Sequence, residues 1–96
     1  MDLKLAGKVA IVTGGGQGMG KAYCLGFAEE GASVVVADIN AETARQTAEA
    51  IRAKGGKALS VKVDISKWAD VSGTVEKALK EFGRPAGFMA AQGRAR

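Results

Sequence analysis

Short apolar runs alternate along this chain with stretches whose apolar residues recur at helical spacing. Lys8 to Thr13 is apolar, rich in β-branched residues and free of internal charge, which predicts a strand buried on both faces. From Gly18 to Glu30, Met19, Ala22, Tyr23, Phe27 and Ala28 fall at helical spacings, and Gly31 is the expected stop. Gly26 inside that helix costs about 1 kcal/mol against alanine, so it is expected to permit close packing on a sheet. Ser33 to Asp38 predicts a second strand, apolar until a carboxylate at its carboxyl end. Asn40 can cap a helix running to about Lys54, with Ala44, Ala48 and Ile51 on its inner face and Gly55-Gly56 ending it. Ala58 to Asp64 alternates in polarity, as a strand nearer a sheet edge does. Ser66 is the expected cap of a third helix with the stripe Val71, Val75, Ala78, Leu79 and Phe82. A fourth strand falls around Gly87 to Ala91, after Pro85.

This β-α-β-α-β-α-β order with short connections implies right-handed crossovers and a parallel sheet. The expected fold is α/β, a doubly wound sheet of about four strands in the order 3-2-1-4 with three helices. Its crevice would lie between strands one and four, above the turn that follows strand one. The 96 residues are enough for one modest core and leave no room for a separate substrate domain.

Charge and cysteine content narrow the classes of function. The net charge of +4 suggests nucleic acid, but Arg84, Arg94 and Arg96 follow Gly83, where no acid occurs. Residues 1–83 carry eleven basic and ten acidic groups, a net of +1, with no interleaving of basic and aromatic residues. Neither nucleic acid nor a membrane is an expected partner: no apolar run approaches the roughly 18 residues of a span. Met1-Asp2-Leu3-Lys4 opens no signal peptide, and a cytoplasmic location is expected. The single cysteine, Cys24, allows neither an internal disulfide nor a multi-cysteine zinc site, and its neighbours Ala22, Leu25 and Ala28 make it a packing residue.

The chemistry is concentrated where the first strand meets Gly14-Gly15-Gly16-Gln17-Gly18-Met19-Gly20. A turn without side chains lets backbone N–H groups approach a diphosphate, and the following helix adds unpaired donors and the positive end of its dipole. Gly15 to Lys21 also fits seven positions of the P-loop pattern, but the eighth, which should carry a hydroxyl for Mg²⁺, is Ala22. A dinucleotide turn fits better. Asp38 stands 18 positions after Gly20 at the end of the second strand, where a carboxylate can accept hydrogen bonds from an adenosine ribose. Its charge would repel the extra phosphate of NADP, and Ile39, Asn40 and Gln17 supply no cation to bind one, so NAD is the expected cofactor rather than NADP.

Thr13 to Gly20 matches the T-G-x-x-x-G-x-G motif of the short-chain dehydrogenase/reductase family. Asp64-Ile65 resembles that family's Asp-Val after strand three, and Phe82-Gly83-Arg84 the approach to its fourth strand. The likeness covers residues from about 5 to 84. It implies a Rossmann-type domain, hydride exchange between NAD(P) and an alcohol or carbonyl, and assembly into dimers or tetramers. Carried over, Gly14, Gln17, Gly18, Met19 and Gly20 would line the diphosphate. Asp38 and Ile39 would meet the adenosine ribose, Asp64 and Ile65 the adenine, and Thr13 would brace the turn.

The likeness weakens towards the end. The family's Asn-Asn-Ala-Gly is replaced by Ala90-Ala91-Gln92-Gly93, and residues 85–96 form a divergent tail of Gly, Ala and Arg. That tail is compatible with a shifted frame or spliced end of a longer reductase gene, and with genuine divergence. The family's Tyr-x-x-x-Lys pair and upstream Ser lie beyond this length. The only tyrosine, Tyr23, is followed at position 27 by Phe, and there is no histidine, so no catalytic or metal-binding residue is assigned. The expectation is the N-terminal dinucleotide-binding portion of a reductase; a non-catalytic binding module and a nonfunctional truncated product are the alternatives. An edge strand and an uncovered apolar face point to self-association or association with full-length family members.

Overall fold

The computed structural model describes residues 4–83, 85 and 87–92. Seven elements follow in order: β1 (Lys8–Thr13), α1 (Gly18–Glu29), β2 (Ser33–Asp38), α2 (Ala41–Ala53), β3 (Lys57–Lys62), α3 (Trp68–Phe82) and β4 (Gly87–Gln92). The strands form one parallel sheet in the order β3-β2-β1-β4, as the alternation of strand and helix predicts. Register places Val9 beside Ser33 and Phe88, and Thr13 beside Ala37 and Gln92. The carboxyl ends of the two central strands therefore reach one level, where the glycine turn leaves β1.

Each face of the sheet has its own core. Ala10, Val12, Val34 and Val36 point to one side, where Cys24 of α1 and Ala44, Ala48 and Ile51 of α2 cover them. Val9, Val35, Ala37, Val61 and Val63 point to the other, where α3 supplies Ala78. A strand buried on both faces cannot alternate in polarity, which is why β2 reads as an unbroken apolar run. β3, at the edge, leaves Lys57 and Lys62 exposed and buries Ala58 and Val61. Asn40 caps α2 as expected, its side-chain oxygen accepting from the N–H groups of Glu42 and Thr43, both at 3.1 Å.

The structure corrects four details. The buried face of α1 is Gly20 and Cys24, with Leu25, Phe27 and Ala28 partly covered, whereas Met19 and Tyr23 are 51% and 37% exposed. The helix is rotated so that its smallest residues meet the sheet, because the turn before it brings it in close. Gly26 accordingly serves no close packing: a Cβ there would meet nothing within 4 Å. Ser66 does not cap α3; Lys67 holds that position without a side-chain hydrogen bond, and the Ser66 hydroxyl donates to Asp64 instead. Finally, Thr13 braces β4 rather than the turn, its hydroxyl donating to Ala91 O at 3.4 Å.

α3 packs over β2 and β3, burying Thr74 and Ala78 but leaving Val75 and Leu79 38% and 42% exposed. Between α3 and the β1–β4 half of the sheet lies an apolar hollow of about 440 Å³, lined by residues that include Ile11, Val71, Ala90 and Ala91.

The contrast between two glycines of α1 is directly testable. At Gly20 a Cβ would overlap Gly14 O and sit 2.7 Å from Gly14 C, both backbone atoms that cannot swing away. Gly20→Ala is expected to cost at least about 3 kcal/mol, as overpacked core sites do. Gly26→Ala is expected to raise stability by roughly 0.5–1 kcal/mol, because it only restricts the unfolded chain and improves helix propensity. Thermal melts check both; a lower Tm for Gly26→Ala would contradict its assignment as an unpacked position.

Candidate functional site

The turn between β1 and α1 is built by close approach. Gly14 and Gly18 have φ of +68° and +56°, a region that residues with a Cβ rarely enter. Gly15 is buried, and its N–H donates to Ala37 O at 3.1 Å, which ties the turn to the end of β2. Gly16 is fixed on both sides: its N–H donates to Asp38 Oδ2 at 2.9 Å, and its carbonyl accepts from the Thr47 hydroxyl at 3.4 Å. A side chain at Gly16 would collide with Thr43 and come within 2.9 Å of Asp38 Oδ2. Gln17, Gly18 and Met19 are exposed on the following turn, and Gly20 is buried beneath it.

The helix termini differ in a way that matters for anion binding. α2 begins with an asparagine cap and an acid, Glu42, in its first turn. α1 has neither: Gln17 makes no side-chain capping bond, and the first turn holds no acidic residue. The leading N–H groups and the positive end of the α1 dipole are thus left uncompensated by side chains.

Asp38 stands half-buried at the carboxyl end of β2. Besides Gly16, its carboxylate accepts from the Asn40 N–H through Oδ1 at 3.0 Å, so each oxygen spends one lone pair locally and keeps another. A cavity of about 260 Å³ opens beside it, lined by Thr13, Gly14, Ala37, Asp38, Ile39, Val63, Asp64 and Ile65. Five of the nine residues singled out from the sequence are thus brought to one hollow, and the other four form the turn into α1. Ile39 and Ile65 are 64% and 55% exposed, so two large apolar side chains border the cavity uncovered.

Asp64 lines the same cavity as Asp38. Its Oδ1 accepts from the Ser66 hydroxyl at 2.6 Å and from the Ser66 N–H at 3.0 Å, while its own N–H donates to Asp70 Oδ2 at 3.0 Å. The Ser66 hydroxyl, then the Ser66 amide, with Lys67 adding a smaller attraction, hold the Asp64 carboxyl below the usual carboxylate range. Cys24 behaves oppositely. Burial pushes its thiol up to about 12, which keeps it a protonated packing group facing Gly15 O at 3.9 Å. Among the described residues, no group of three or more His, Cys, Asp or Glu is placed to hold a metal ion, and no helix is long and apolar enough to cross a membrane.

Sequence reasoning did not single out Thr43 and Thr47, which pack α2 against the turn. A signal was present for the second: Thr47 is a lone polar residue within the apolar stripe Ala44, Ala48 and Ile51.

A glycine turn leading into an uncapped helix, followed by an acid at the end of the neighbouring strand, defines a doubly wound α/β protein with a glycine-rich first crossover. Within that class, this chain belongs to the short chain dehydrogenase family, whose sequence profile matches residues 8–94. The match runs through β4 and past Arg84. The chain is 45% identical over 83 residues to 2,5-dichloro-2,5-cyclohexadiene-1,4-diol dehydrogenase LinX of Sphingobium indicum, covering 86% of this chain and 33% of that protein. It is 41% identical to the 7alpha-hydroxysteroid dehydrogenase of Escherichia coli, covering 86% and 32%. A crystal structure of hydroxysteroid dehydrogenase from Escherichia coli superposes with a TM-score of 0.84 at 38% identity, over 93% of this chain and 38% of that one. A 7alpha-hydroxysteroid dehydrogenase solved with NADH and 7-oxo glycochenodeoxycholic acid gives 0.83 at 39%, over 91% and 34%. The chain spans about a third of the length of these curated relatives.

The depressed titration of Asp64 gives a test of the local geometry. A carboxyl whose folded pKa is lowered stabilises the fold above its unfolded value, and that contribution is lost as pH falls through the lower folded value. In Ser66→Ala, the Asp64 carboxyl is expected to titrate higher, back toward the usual carboxylate range. Carbon-detected NMR of the carboxyl resonance reads this, and an unchanged titration would remove Ser66 as its cause.

Proposed function

We propose that residues 1–96 form a single, partial dinucleotide-binding domain of a short-chain dehydrogenase/reductase, with residues 85–96 as a divergent tail, and that it prefers NAD to NADP. The observation that carries this reading is the cavity that gathers Gly14, Asp38, Ile39, Asp64 and Ile65 beside the uncapped start of α1. The residues fit the group. The glycine turn leaves no side chain between backbone and ligand, and a diphosphate is a suitable anion for N–H groups of Gln17, Gly18 and Met19. Gly20 supports that turn from below and Gly14 borders the cavity. The free lone pairs of Asp38 suit a ribose diol, and Ile39 and Ile65 suit the two faces of an adenine ring, with Asp64 at its polar edge.

When bound, a nicotinamide dinucleotide supplies or accepts a hydride, and an alcohol or carbonyl is the substrate class proposed for the whole protein. The work assigned to these residues is binding and orientation. Tyr23 stacks on Phe27 with ring centroids 6.2 Å apart, away from the cavity, and is given no part in proton transfer. The preference for NAD is an electrostatic proposal: the Asp38 carboxylate opposes a 2′-phosphate, and Ile39 and Asn40 offer no cation. Association with a second copy or a full-length relative is proposed as well, supported by the exposed apolar side chains of Val75, Leu79 and Phe88.

Calorimetric titration tests the cofactor assignment. NAD is expected to bind at least about tenfold more tightly than NADP, and Asp38→Asn, which removes the charge but keeps an acceptor oxygen, is expected to erase most of that difference. Equal affinities in the parent chain would contradict the role of Asp38, and binding of neither dinucleotide would contradict the proposed function.

A further inference from the structure

Thr47 sits in the middle of α2, 1% exposed, on the face that also buries Ala44, Ala48 and Ile51. A threonine inside a helix commonly bonds back to a carbonyl of its own helix. Here the hydroxyl leaves the helix and donates to the Gly16 carbonyl at 3.4 Å. That carbonyl belongs to the peptide unit shared by Gly16 and Gln17. Because a trans peptide is planar, its C=O and N–H point in opposite directions, so drawing the Gly16 oxygen into α2 turns the Gln17 N–H outward. The preceding peptide is held in the same manner, its Gly16 N–H engaged by Asp38 Oδ2 at 2.9 Å. The Gln17 N–H has no acceptor among the described residues and stands at the uncapped start of α1.

From this geometry we infer that Thr47 is a positioning residue for dinucleotide binding: its hydroxyl aims the Gln17 amide at the anion, although Thr47 itself touches no ligand. The inference rests on the dinucleotide reading of the turn. It goes further in assigning a role to a residue of α2 outside the turn and outside the cavity lining. Thr43 completes the arrangement. Its side chain occupies the volume beside Gly16, so a side chain at position 16 would push the peptide and α2 apart.

The test compares Thr47→Val, which keeps the shape and removes the donor, with Thr47→Ser, which keeps the donor. Ile51→Val, equally buried on the same helix, controls for lost stability. Thr47→Val is expected to weaken NAD binding about tenfold, whereas Thr47→Ser stays within about twofold of the parent chain. Ile51→Val is expected to lower the Tm while leaving the NAD affinity unchanged. Amide hydrogen exchange without dinucleotide provides the second readout: Thr47→Val is expected to speed exchange at Gly16 and leave the strands protected. Should Thr47→Val fail to fold, Thr47→Ala carries the same expectations. NAD affinity unaltered by loss of the hydroxyl, or weakened equally by Ile51→Val, overturns the inference. If the parent chain binds no dinucleotide, the proposed function fails on that result alone, and unchanged Gly16 exchange in Thr47→Val then overturns the positioning role separately.

Discussion

The hydrogen bond from the Gly16 N–H to the Asp38 carboxylate joins the two halves of the site. It spans the gap between the first crossover turn and the end of β2, so the residue proposed to meet the ribose also fixes the loop proposed to meet the diphosphate. The bond forms only because nothing stands between the partners. Gly16 lacks a side chain, Gly20 lets α1 rest on Gly14, and Gly15 N–H reaches Ala37 O. Replacing a glycine here pushes apart elements whose polar groups depend on contact, and a buried group left unpaired costs roughly 1–3 kcal/mol. Anion affinity and sheet packing are therefore two consequences of one close approach.

The two faces of the sheet are finished to different degrees. Under α1 and α2 the core is continuous, from Ala10 and Val12 to Ile51. Under α3 it ends at Ala78 and Val63, and the hollow beside Ile11 and Ala90 remains open and apolar. The well-packed face supports the glycine turn, since α1 starts from it and α2 packs Thr43 and Thr47 against it. The turn is accordingly held by the more fully packed half of the molecule, where precise aim of backbone N–H groups is most useful.

Most of the fold was legible because its signals are local. Strand order follows from alternating apolar runs and helices, Asn40 announces a cap, and Asp38 marks the end of a strand at a readable distance from the turn. Those signals depend on residues near in sequence. The rotation of α1 was not legible, because it follows from the depth of the turn, and a periodicity drawn through Met19, Tyr23 and Phe27 does not contain that depth. Ser66 has a cap's identity and spacing, yet Asp64 two residues earlier competes for its hydroxyl. Thr47 was hidden because its partner is 31 residues away, and its only trace is a polar residue inside an apolar stripe. Ala90 and Ala91 depart from the family's asparagines, yet the profile match continues to residue 94; in the structure, Ala91 O receives the Thr13 hydroxyl, a contact that needs only its backbone.

The most direct measurement is NMR titration of the ¹⁵N-labelled chain with NAD, followed at each backbone amide. A diphosphate held by the turn should shift Gln17, Gly18 and Met19 most, with Ile39 and Ile65 responding as the cavity fills. Gly16, whose N–H is already committed to Asp38, should move less than its neighbours. Shifts concentrated at Val71, Val75 and Ala90 with the turn unmoved would place the ligand in the apolar hollow and contradict the site described here.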